Sequence, residues 1–273
     1  MPKKIVISGG NSGIGLEAGR QLATQGHHVI LLGREQAKGD AAVESIKQAG
    51  GKAEFLSADL STHAGVRDAA ARVAAAHPRI DGLILGAGVL TLQDLRTGDG
   101  LHPIFAVNYL SRYHLAQSLL PQLRVAGSAT VVLLVAGVPL DSQVDFKLFP
   151  RYDPFPGMSG LSGIQIANHH YVTHLATAEP NIRAAVINVG LVRTGIMRAM
   201  PLLMRAAFTV AGPLFTIPVA RAAANAVWLT THDEWRSGQY WGKPGHIDRS
   251  QPLALDPVVT AKVVAISHEL TGV

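Results

Sequence analysis

The sequence predicts a doubly wound α/β domain with a mostly parallel, seven-stranded sheet, and three observations predict it. Short, nearly continuous apolar runs alternate with segments of helix length, which is the pattern of parallel strands covered on both faces. A glycine-rich turn follows the first apolar run directly and opens a helical segment. No shift in composition and no internal repeat divides the 273 residues, so residues 1–273 are predicted to form a single domain.

The predicted strands are short runs rich in Leu and β-branched residues. In chain order they span residues 4–8, 28–32, 53–57, 82–85, 130–135, 184–188 and 239–241. The segments of helix length between them span residues 15–24, 36–48, 64–76, 100–124 and 160–177. Parallel strands that alternate with helices are joined by right-handed crossovers, so helices are expected on both faces of the sheet.

Two segments interrupt this alternation. Residues 137–157 are rich in Pro, Asp and Phe and are predicted to form an ordered loop. Residues 191–218 are unusually apolar, and we expect a lid over a pocket, because long excursions after the carboxyl end of a strand often have that role. Packing of the same side chains as ordinary core, or as a subunit contact, is the alternative.

Composition and charge exclude several classes of protein. The chain has no Cys, which rules out disulfide frameworks, zinc ribbons, thiol nucleophiles and iron–sulfur clusters. The net charge of +5 is scattered, with no basic run longer than Lys3-Lys4, so no nucleic-acid partner is predicted. No uninterrupted apolar stretch reaches about 18 residues and no secretory signal is recognisable, so we predict no membrane span and a cytoplasmic location.

A glycine-rich segment after the first strand carries the strongest motif. It reads Ser8-Gly9-Gly10-Asn11-Ser12-Gly13-Ile14-Gly15. Gly9 permits a tight turn, Gly13 lets the backbone approach a pyrophosphate, and Gly15 lets the helix pack closely on the sheet. The helix N-terminus offers unpaired N–H groups to phosphates. The motif predicts a dinucleotide site that includes Gly9, Asn11, Ser12, Gly13, Ile14 and Gly15; a turn kept only for folding is the alternative.

The end of the second strand favours NADP over NAD. An NAD site usually has Asp or Glu there, which accepts hydrogen bonds from the ribose hydroxyls. Here the chain reads Gly33-Arg34, and a guanidinium suits a 2′-phosphate. Asp59 and Leu60, after the third strand, are placed to contact the adenine, with an N-cap role as the alternative for Asp59.

Together these segments resemble the short-chain dehydrogenase/reductase family, and within it the retinol-dehydrogenase-like branch, over nearly the whole chain. Further motifs that carry the resemblance are Gly86-Ala87-Gly88-Val89, Val107-Asn108, Ala167-Asn168, Gly190-Leu191-Val192-Arg193-Thr194 and Ser237-Gly238-Gln239-Tyr240. The resemblance implies a Rossmann-type fold, an NADP cofactor, and further cofactor contacts from Ala87, Gly88 and Thr194. It also implies a homo-oligomer that pairs through helices 100–124 and 160–177.

The family's chemistry uses an Asn-Ser-Tyr-Lys set, of which only the Asn has a match. The resemblance implies that Tyr is the general acid or base, that Lys lowers the Tyr pKa and binds the nicotinamide ribose, that Ser polarises the carbonyl, and that Asn supports a water chain. Asn108 matches the Asn. The Ser position is Ala136 or Gly137, the Tyr position is Leu161, and the Lys position is Gln165.

The missing Tyr-Lys pair does not depend on the alignment, because no Tyr in the chain has Lys four residues later. Removal of a positioned proton donor costs about 10²–10⁴-fold in rate. We therefore expect ordinary carbonyl reduction to be severely slowed, while NADP binding survives through Arg34 and the glycine-rich segment Ser8–Gly15, called the phosphate turn below. Asn108 and Gln165 remain as the candidate polar residues of the catalytic site. Ala136 and Leu161 occupy the degenerate positions, at which the family has Ser and Tyr.

Two other groups of polar residues invite a chemical role. His169, His170 and His174 cluster on one predicted helix, but no HExxH pattern or nearby carboxylate supports a metal site, and none is predicted. Four residues in the loop 137–157 are candidate replacement acids or bases, with solvated loop residues as the alternative. They are Asp141, Asp145, Tyr152 and Asp153.

The sequence therefore favours a non-redox enzyme of the cyclase, pericyclase or isomerase type that acts on a hydrophobic metabolite of specialised metabolism. An apolar pocket can accelerate a unimolecular reaction mainly by holding a reactive conformer. The first alternative is an NADP-dependent oxidoreductase that uses replacement residues on an activated acceptor. The second alternative is a non-enzymatic binding or scaffold protein.

Overall fold

The structure of the protein is a computed structural model that describes residues 1–91, 93–139, 141–192, 216–242 and 250–273. Its strands are β1 Lys4–Ser8, β2 His28–Gly33, β3 Lys52–Ser57, β4 Gly82–Leu85, β5 Ala129–Val135, β6 Ile182–Asn188, β7 Gln239–Trp241 and β8 Ser250–Pro252. They form one eight-stranded sheet in the order β3-β2-β1-β4-β5-β6-β7-β8. The first seven strands are parallel, and β8 pairs antiparallel with β7. The predicted fold class is confirmed, with one antiparallel edge strand added.

Helices cover both faces of this sheet. They are α1 Gly13–Thr24, α2 Gln36–Gln48, α3 His63–Ala76, α4 Pro103–Phe105, α5 Ser111–Val125, α6 Met158–Ala178, α7 Val219–Thr231 and α8 Pro257–Thr271. Helices α1, α2 and α7 share one apolar core, and α3, α5 and α6 share the other. None of these described helices is long and apolar enough to cross a membrane.

The sequence pattern does not predict α7 and α8. Helix α8 starts with Pro257 at its first position, and Asp256 caps it by accepting a hydrogen bond from the Val258 N–H (2.8 Å). β-Branched residues follow directly, at Val258, Val259 and Thr260, and such residues favour strands in a sequence-based reading. The cap at Asp256 and the proline at the first position, and not the strand propensity of the following residues, indicate that this segment is helical.

The central strands are buried on both faces, which explains their continuous apolar sequence. Ile5, Val6 and Ile7 of β1 are inaccessible to solvent, and all seven residues of β5 are buried. Because parallel strands end at the same edge of a sheet, the turns after β1, β2, β4 and β5 meet there, and ligands of such folds bind at this edge.

The helix predicted at residues 100–124 starts only at Pro103, and part of it is π-helical rather than α-helical. His102 caps α4, and Pro103 is its first residue. Residues Ala106–Leu110 then form a π-helical stretch before α5 begins. Short π-helical stretches inside helices are frequent at functional sites, and this one contains Asn108.

Helix α8 packs on α6 and contacts α5, the two helices through which a homo-oligomer is predicted. The Tyr109 hydroxyl lies 2.7 Å from Ser267 Oγ, and His170 Nδ1 lies 2.8 Å from Thr260 Oγ1. Two copies that paired through α5 and α6 would have to use the parts of these helices that α8 leaves exposed. The homo-oligomer stays a prediction, which a mass from light scattering checks.

The predicted lid at residues 191–218 lies mostly outside the described residues, and so does Thr194. Both ends of the segment are described. Val192 and Ile217 form a parallel β-bridge, and the Ile217 N–H donates to the Leu191 carbonyl over 3.1 Å. The two ends therefore lie side by side at the carboxyl end of β6, where a lid would have to be anchored; the lid itself stays a prediction.

Candidate active site

Three glycines shape the turn between β1 and α1. Gly9 and Gly13 have φ angles of +71° and +56°, a region that side chains disfavour. A Cβ on Gly15 would lie 2.4 Å from the Gly9 carbonyl oxygen, so α1 can pass this close to the turn only with glycine there. Ser12 is exposed at the start of α1, and its side chain caps no N–H group. This arrangement fits an anion such as a phosphate at the start of the helix.

The loop after β4 lies against this phosphate turn. Ser8 Oγ accepts hydrogen bonds from the N–H groups of Gly86 (3.1 Å) and Ala87 (3.2 Å). A Cβ on Gly9 would lie 2.9 Å from the Ala87 Cα. Gly9 and Ala87 are therefore adjacent, and Gly88 follows Ala87 in the chain; the space between Gly9 and Gly88, where the cofactor is predicted, is called the groove below.

At the end of β2, the space beside Gly33 is occupied by another side chain. A Cβ on Gly33 would lie 2.6 Å from Cγ of Asn11, so the Asn11 side chain from the phosphate turn fills that space. Arg34, the next residue, is exposed. The preference for NADP over NAD stays a prediction, which rests on the guanidinium that follows the strand.

The predicted adenine contacts lie at the carboxyl end of β3. Asp59 is exposed, and its Oδ1 accepts a hydrogen bond from the Ser61 N–H (3.0 Å). The cap of α3 is Thr62, so the alternative role of Asp59 as the helix cap is excluded. Leu60 is buried in the core shared by α3, α5 and α6, whereas Ile14 packs on the core of the opposite face.

The side chain of Asn108 is fully engaged by the loop after β4. Asn108 Nδ2 donates to the Val89 carbonyl (2.9 Å), and Asn108 Oδ1 accepts from the Val89 N–H (2.8 Å). The Asn108 carbonyl oxygen accepts from Asn168 Nδ2 (3.1 Å). In this structure, Asn108 therefore acts as a positioning residue for the loop that borders the groove.

Leu161 and Gln165 lie one turn apart on α6. Both are buried, with 9% and 3% of their surface exposed. Gln165 Oε1 has no hydrogen-bond partner among the described residues. A buried carbonyl group without a donor costs free energy, so this position favours a water or a ligand that donates a hydrogen bond.

Asn188, at the end of β6, fills the space beside the position at which the family has Ser. A Cβ on Gly137 would lie 2.6 Å from Asn188 Nδ2. Asn188 Nδ2 donates to the Gly242 carbonyl (3.2 Å), and Asn188 Oδ1 accepts from the Gly190 N–H (2.8 Å). Sequence reasoning missed this carboxamide, although a polar residue that ends an otherwise apolar strand was a usable signal.

A buried cation lies behind this groove. Arg112 on α5 is 3% exposed, its Nη2 donates to the Ala87 carbonyl (2.9 Å), and its Nη1 lies 3.4 Å from Asn168 Oδ1. Within the described part of the chain no carboxylate pairs with it, and its Nε has no partner. Burial lowers the pKa of Arg112 to about 9, so the guanidinium is charged at neutral pH. Sequence reasoning missed Arg112, whose only signal is its place one helical turn after Asn108.

The loop candidates for a replacement acid or base have different surroundings. Tyr152 is 1% exposed among aromatic side chains, and burial raises its pKa well above the ordinary value. Asp153 pairs with Arg96 through an Oδ1–Nη2 distance of 2.7 Å. Asp141 and Asp145 are exposed, as in the alternative of solvated loop residues.

The three histidines of α6 are packed into the fold. His169 and His170 are buried, and burial lowers the pKa of each to about 4. His170 Nδ1 contacts Thr260, as noted above, and both ring nitrogens of His169 are without a partner among the described residues. In the ranges that the structure describes, no group of three His, Asp or Glu side chains is arranged to hold a metal ion.

Comparison with known proteins gives a family match and curated relatives. The sequence model of the short chain dehydrogenase family matches residues 3–146. Mouse retinol dehydrogenase 14 is 27% identical over 99% of this chain and 86% of its own length. The WW domain-containing oxidoreductase of Drosophila melanogaster is 27% identical over 91% of this chain and 64% of its own length.

Solved structures share the fold. An alcohol dehydrogenase from Thermococcus sibiricus, complexed with 5-hydroxy-NADP, is 18% identical, covers 92% of this chain and 100% of its own, and superposes with a TM-score of 0.68. The NADPH-dependent 3-quinuclidinone reductase from Rhodotorula rubra is 20% identical, covers 90% of this chain and 91% of its own, and has a TM-score of 0.69.

Proposed function

Because the chain belongs to the short-chain dehydrogenase family, we propose that it binds NADP in the groove between Gly9 and Gly88 and acts on a hydrophobic small molecule. We further propose that it does so without the family's Tyr-Lys proton relay. The proposed reaction is non-redox and of the cyclase, pericyclase or isomerase type, in specialised metabolism.

The phosphate turn fits a dinucleotide. Glycine is required by the φ angles of Gly9 and Gly13 and by the close approach of Gly15 to the turn. These residues would hold the diphosphate, and Arg34 would bind a 2′-phosphate, with Asp59 and Thr194 as further predicted contacts. When bound, a nicotinamide dinucleotide supplies a hydride donor or acceptor.

The observation that supports the proposed loss of the relay is the pair of side chains on α6. Leu161 carries no titratable group, and Gln165 is a neutral carboxamide. The chain has five tyrosines, each of them buried in the described structure, and none has Lys four residues later. They are Tyr109, Tyr113, Tyr152, Tyr171 and Tyr240. A phenol and an ammonium that act together on a carbonyl oxygen are therefore not available on this wall of α6.

The remaining polar groups suit binding and polarisation of a substrate. Gln165 has a free carbonyl oxygen among the described residues, whereas Asn188 next to Gly137 already bonds Gly242 and Gly190 and positions the end of β6. Carboxamides hydrogen-bond a substrate without exchanging protons with it. A site of this kind accelerates a reaction by holding a reactive conformer and by stabilising charge as it develops.

The test is turnover of NADPH by the purified protein with a panel of aliphatic ketones, aromatic ketones and retinal. We expect the rate of NADPH oxidation to be about 10²–10⁴-fold lower than that of an ordinary reductase, because the positioned proton donor is missing. A binding measurement on the same sample shows whether NADPH is bound. Turnover of any of these carbonyls at an ordinary reductase rate would contradict the proposal.

A second candidate function is supported by the same phosphate turn. An NADP-dependent oxidoreductase that acts on an iminium or an enone would need no proton donor at a carbonyl oxygen, and it would need the intact glycine geometry of Gly9 to Gly15. Deuterium-labelled NADPH distinguishes the two candidates. Stereospecific transfer of deuterium to an iminium or an enone supports the second candidate. If neither acceptor receives deuterium, an oxidoreductase that acts on these two acceptors is excluded.

A further inference from the structure

Arg112 is a charged group that the proposed function leaves unexplained. Its guanidinium is buried between α5, α6 and the loop after β4, with no carboxylate partner among the described residues. An unpaired buried charge destabilises a folded protein, even after the surroundings relax. Its two hydrogen-bond acceptors, the Ala87 carbonyl and Asn168 Oδ1, are neutral, so they solvate the charge but do not balance it.

The position of this charge relates it to the predicted cofactor groove. Ala87, whose carbonyl binds Arg112 Nη2, is the same residue that touches Gly9 of the phosphate turn. A Cβ on Gly88 would lie 3.9 Å from Arg112 Nη2. A single peptide unit, from Ala87 to Gly88, therefore separates the guanidinium from the groove.

We propose that Arg112 is the fixed counter-charge for an anionic group bound in the groove between Gly9 and Gly88, with the diphosphate of the dinucleotide as the expected anion. The charge acts through the peptide that it binds. In a trans peptide, the Gly88 N–H points opposite to the Ala87 carbonyl, and hence away from Arg112. A cation on the carbonyl polarises this peptide and strengthens its N–H as a donor. The inference rests on the proposed dinucleotide site, but not on the reaction proposed for that site.

The experiment measures binding of NADP⁺ by calorimetry, together with the melting temperature without ligand, for wild type and Arg112→Met. Met keeps much of the length of the side chain and removes its charge. In Arg112→Met we expect the Kd for NADP⁺ to rise by about tenfold or more, which corresponds to the loss of one charge interaction. The melting temperature without ligand should stay the same or rise, because removal of an unpaired buried charge relieves its desolvation.

Controls separate this role from a structural one. Arg72→Met removes a guanidinium that is half-exposed on α3 and pairs with Asp68, and it should change neither quantity. Adenosine, a neutral fragment of the cofactor, should bind wild type and Arg112→Met equally. If Arg112→Met does not fold, Arg112→Lys and Arg112→Gln replace it, and only the charged Lys variant should keep NADP⁺ affinity within about threefold.

A second titration identifies the source of the anion. Decanoate, a hydrophobic carboxylate, is added to protein saturated with NADP⁺. If Arg112→Met loses affinity for NADP⁺, the anion that Arg112 balances belongs to the dinucleotide. If it loses affinity for decanoate alone, that anion belongs to an acidic substrate, and the diphosphate assignment is overturned. Unchanged affinity for both ligands overturns the proposal. Turnover of carbonyls would instead contradict the proposed function and leave this result unaffected.

Discussion

At the scale of single residues, the groove depends on positions where a side chain cannot be present. The carbonyl oxygen of Gly9 occupies the place where a side chain on Gly15 would begin, and Asn11 occupies the corresponding place at Gly33. Both contacts join the phosphate turn to its surroundings. At Gly15 the absence of a side chain is thus a backbone requirement, whereas at Gly33 the obstacle is the side chain of Asn11.

Substitution of Gly15 tests the phosphate turn. In Gly15→Ala the new Cβ would lie 2.4 Å from the Gly9 carbonyl oxygen, so the turn or the helix must shift. We expect the free energy of unfolding to fall by about 1–3 kcal/mol, which is typical of overpacking, and NADP⁺ binding to be lost. Urea unfolding and calorimetry measure the two effects. Gly98→Ala is the control, because its Cβ would make only an ordinary contact, and equal NADP⁺ affinity in both variants would contradict this role of Gly15.

Substitution of Arg34 tests the choice of cofactor. In Arg34→Ala we expect NADP⁺ to bind about 10–100-fold more weakly, because charge-assisted bonds to the 2′-phosphate contribute about 1.5–3 kcal/mol. NAD⁺ affinity should be unchanged, since NAD⁺ lacks this phosphate. Calorimetry with both dinucleotides measures the ratio, and Lys38→Ala, an exposed cation on the following helix, serves as control. A parallel loss for NAD⁺ and NADP⁺ would argue against the 2′-phosphate contact.

At the scale of elements, helix α6 carries both positions on which the proposed loss of the proton relay rests. Its residues Leu161 and Gln165 are both buried and lie on the same side of the helix, one turn apart. Neighbouring elements supply the other groups, which are Asn188 from β6 and the Arg112 guanidinium from α5. The character of the wall can therefore be changed by two substitutions on a single helix.

The double variant Leu161→Tyr/Gln165→Lys installs a phenol and an ammonium one turn apart. We expect reduction of a carbonyl panel by NADPH to increase by about 10²-fold or more, as a positioned acid does in general. The matched control is Leu161→Phe/Gln165→Lys, which lacks only the hydroxyl group. Stopped-flow or steady-state absorbance of NADPH measures the rates. Equal rates in the two double variants would show that the phenol does not act on the substrate.

At the scale of the whole molecule, buried histidines link stability to pH. Burial lowers the pKa of His114, His169 and His170 to about 4 in the folded protein, from an ordinary value of 6.5. Between these values the unfolded chain binds more protons than the folded one, so acid favours unfolding. The stabilisation from the neutral imidazoles is complete above 6.5 and is lost as the pH falls towards about 4.

The free energy of unfolding should therefore be lower at about pH 5 than at about pH 7.5, with little change above that. Urea unfolding at several pH values measures this dependence. In His169→Gln one of the three groups no longer titrates, so the decrease on acidification should be smaller than in wild type. A free energy of unfolding that stayed constant down to about pH 5 would contradict the assignment.

The sheet and its helices were largely predictable because their signals are local. A parallel strand buried on both faces must be apolar throughout, as β1 and β5 are, and this pattern is visible within a few residues. The antiparallel β8 and the helices α7 and α8 were missed. β8 reads Ser250-Gln251-Pro252 and so contains no apolar run, and the β-branched start of α8 resembles a strand. Most of what the sequence left open is therefore at the carboxyl-terminal end.

The sequence by itself determined the α/β fold, and it predicted the phosphate turn and the absence of a Tyr with Lys four residues later, because each depends on residue type and spacing within one short segment. Only the tertiary structure decided which polar groups meet in the groove. The contacts of Arg112 with Asn168 and of Asn188 with Gly242 each join residues more than 50 positions apart. Such contacts arise when packing brings distant segments together, and for that reason the buried charge behind the groove is visible only in the folded chain.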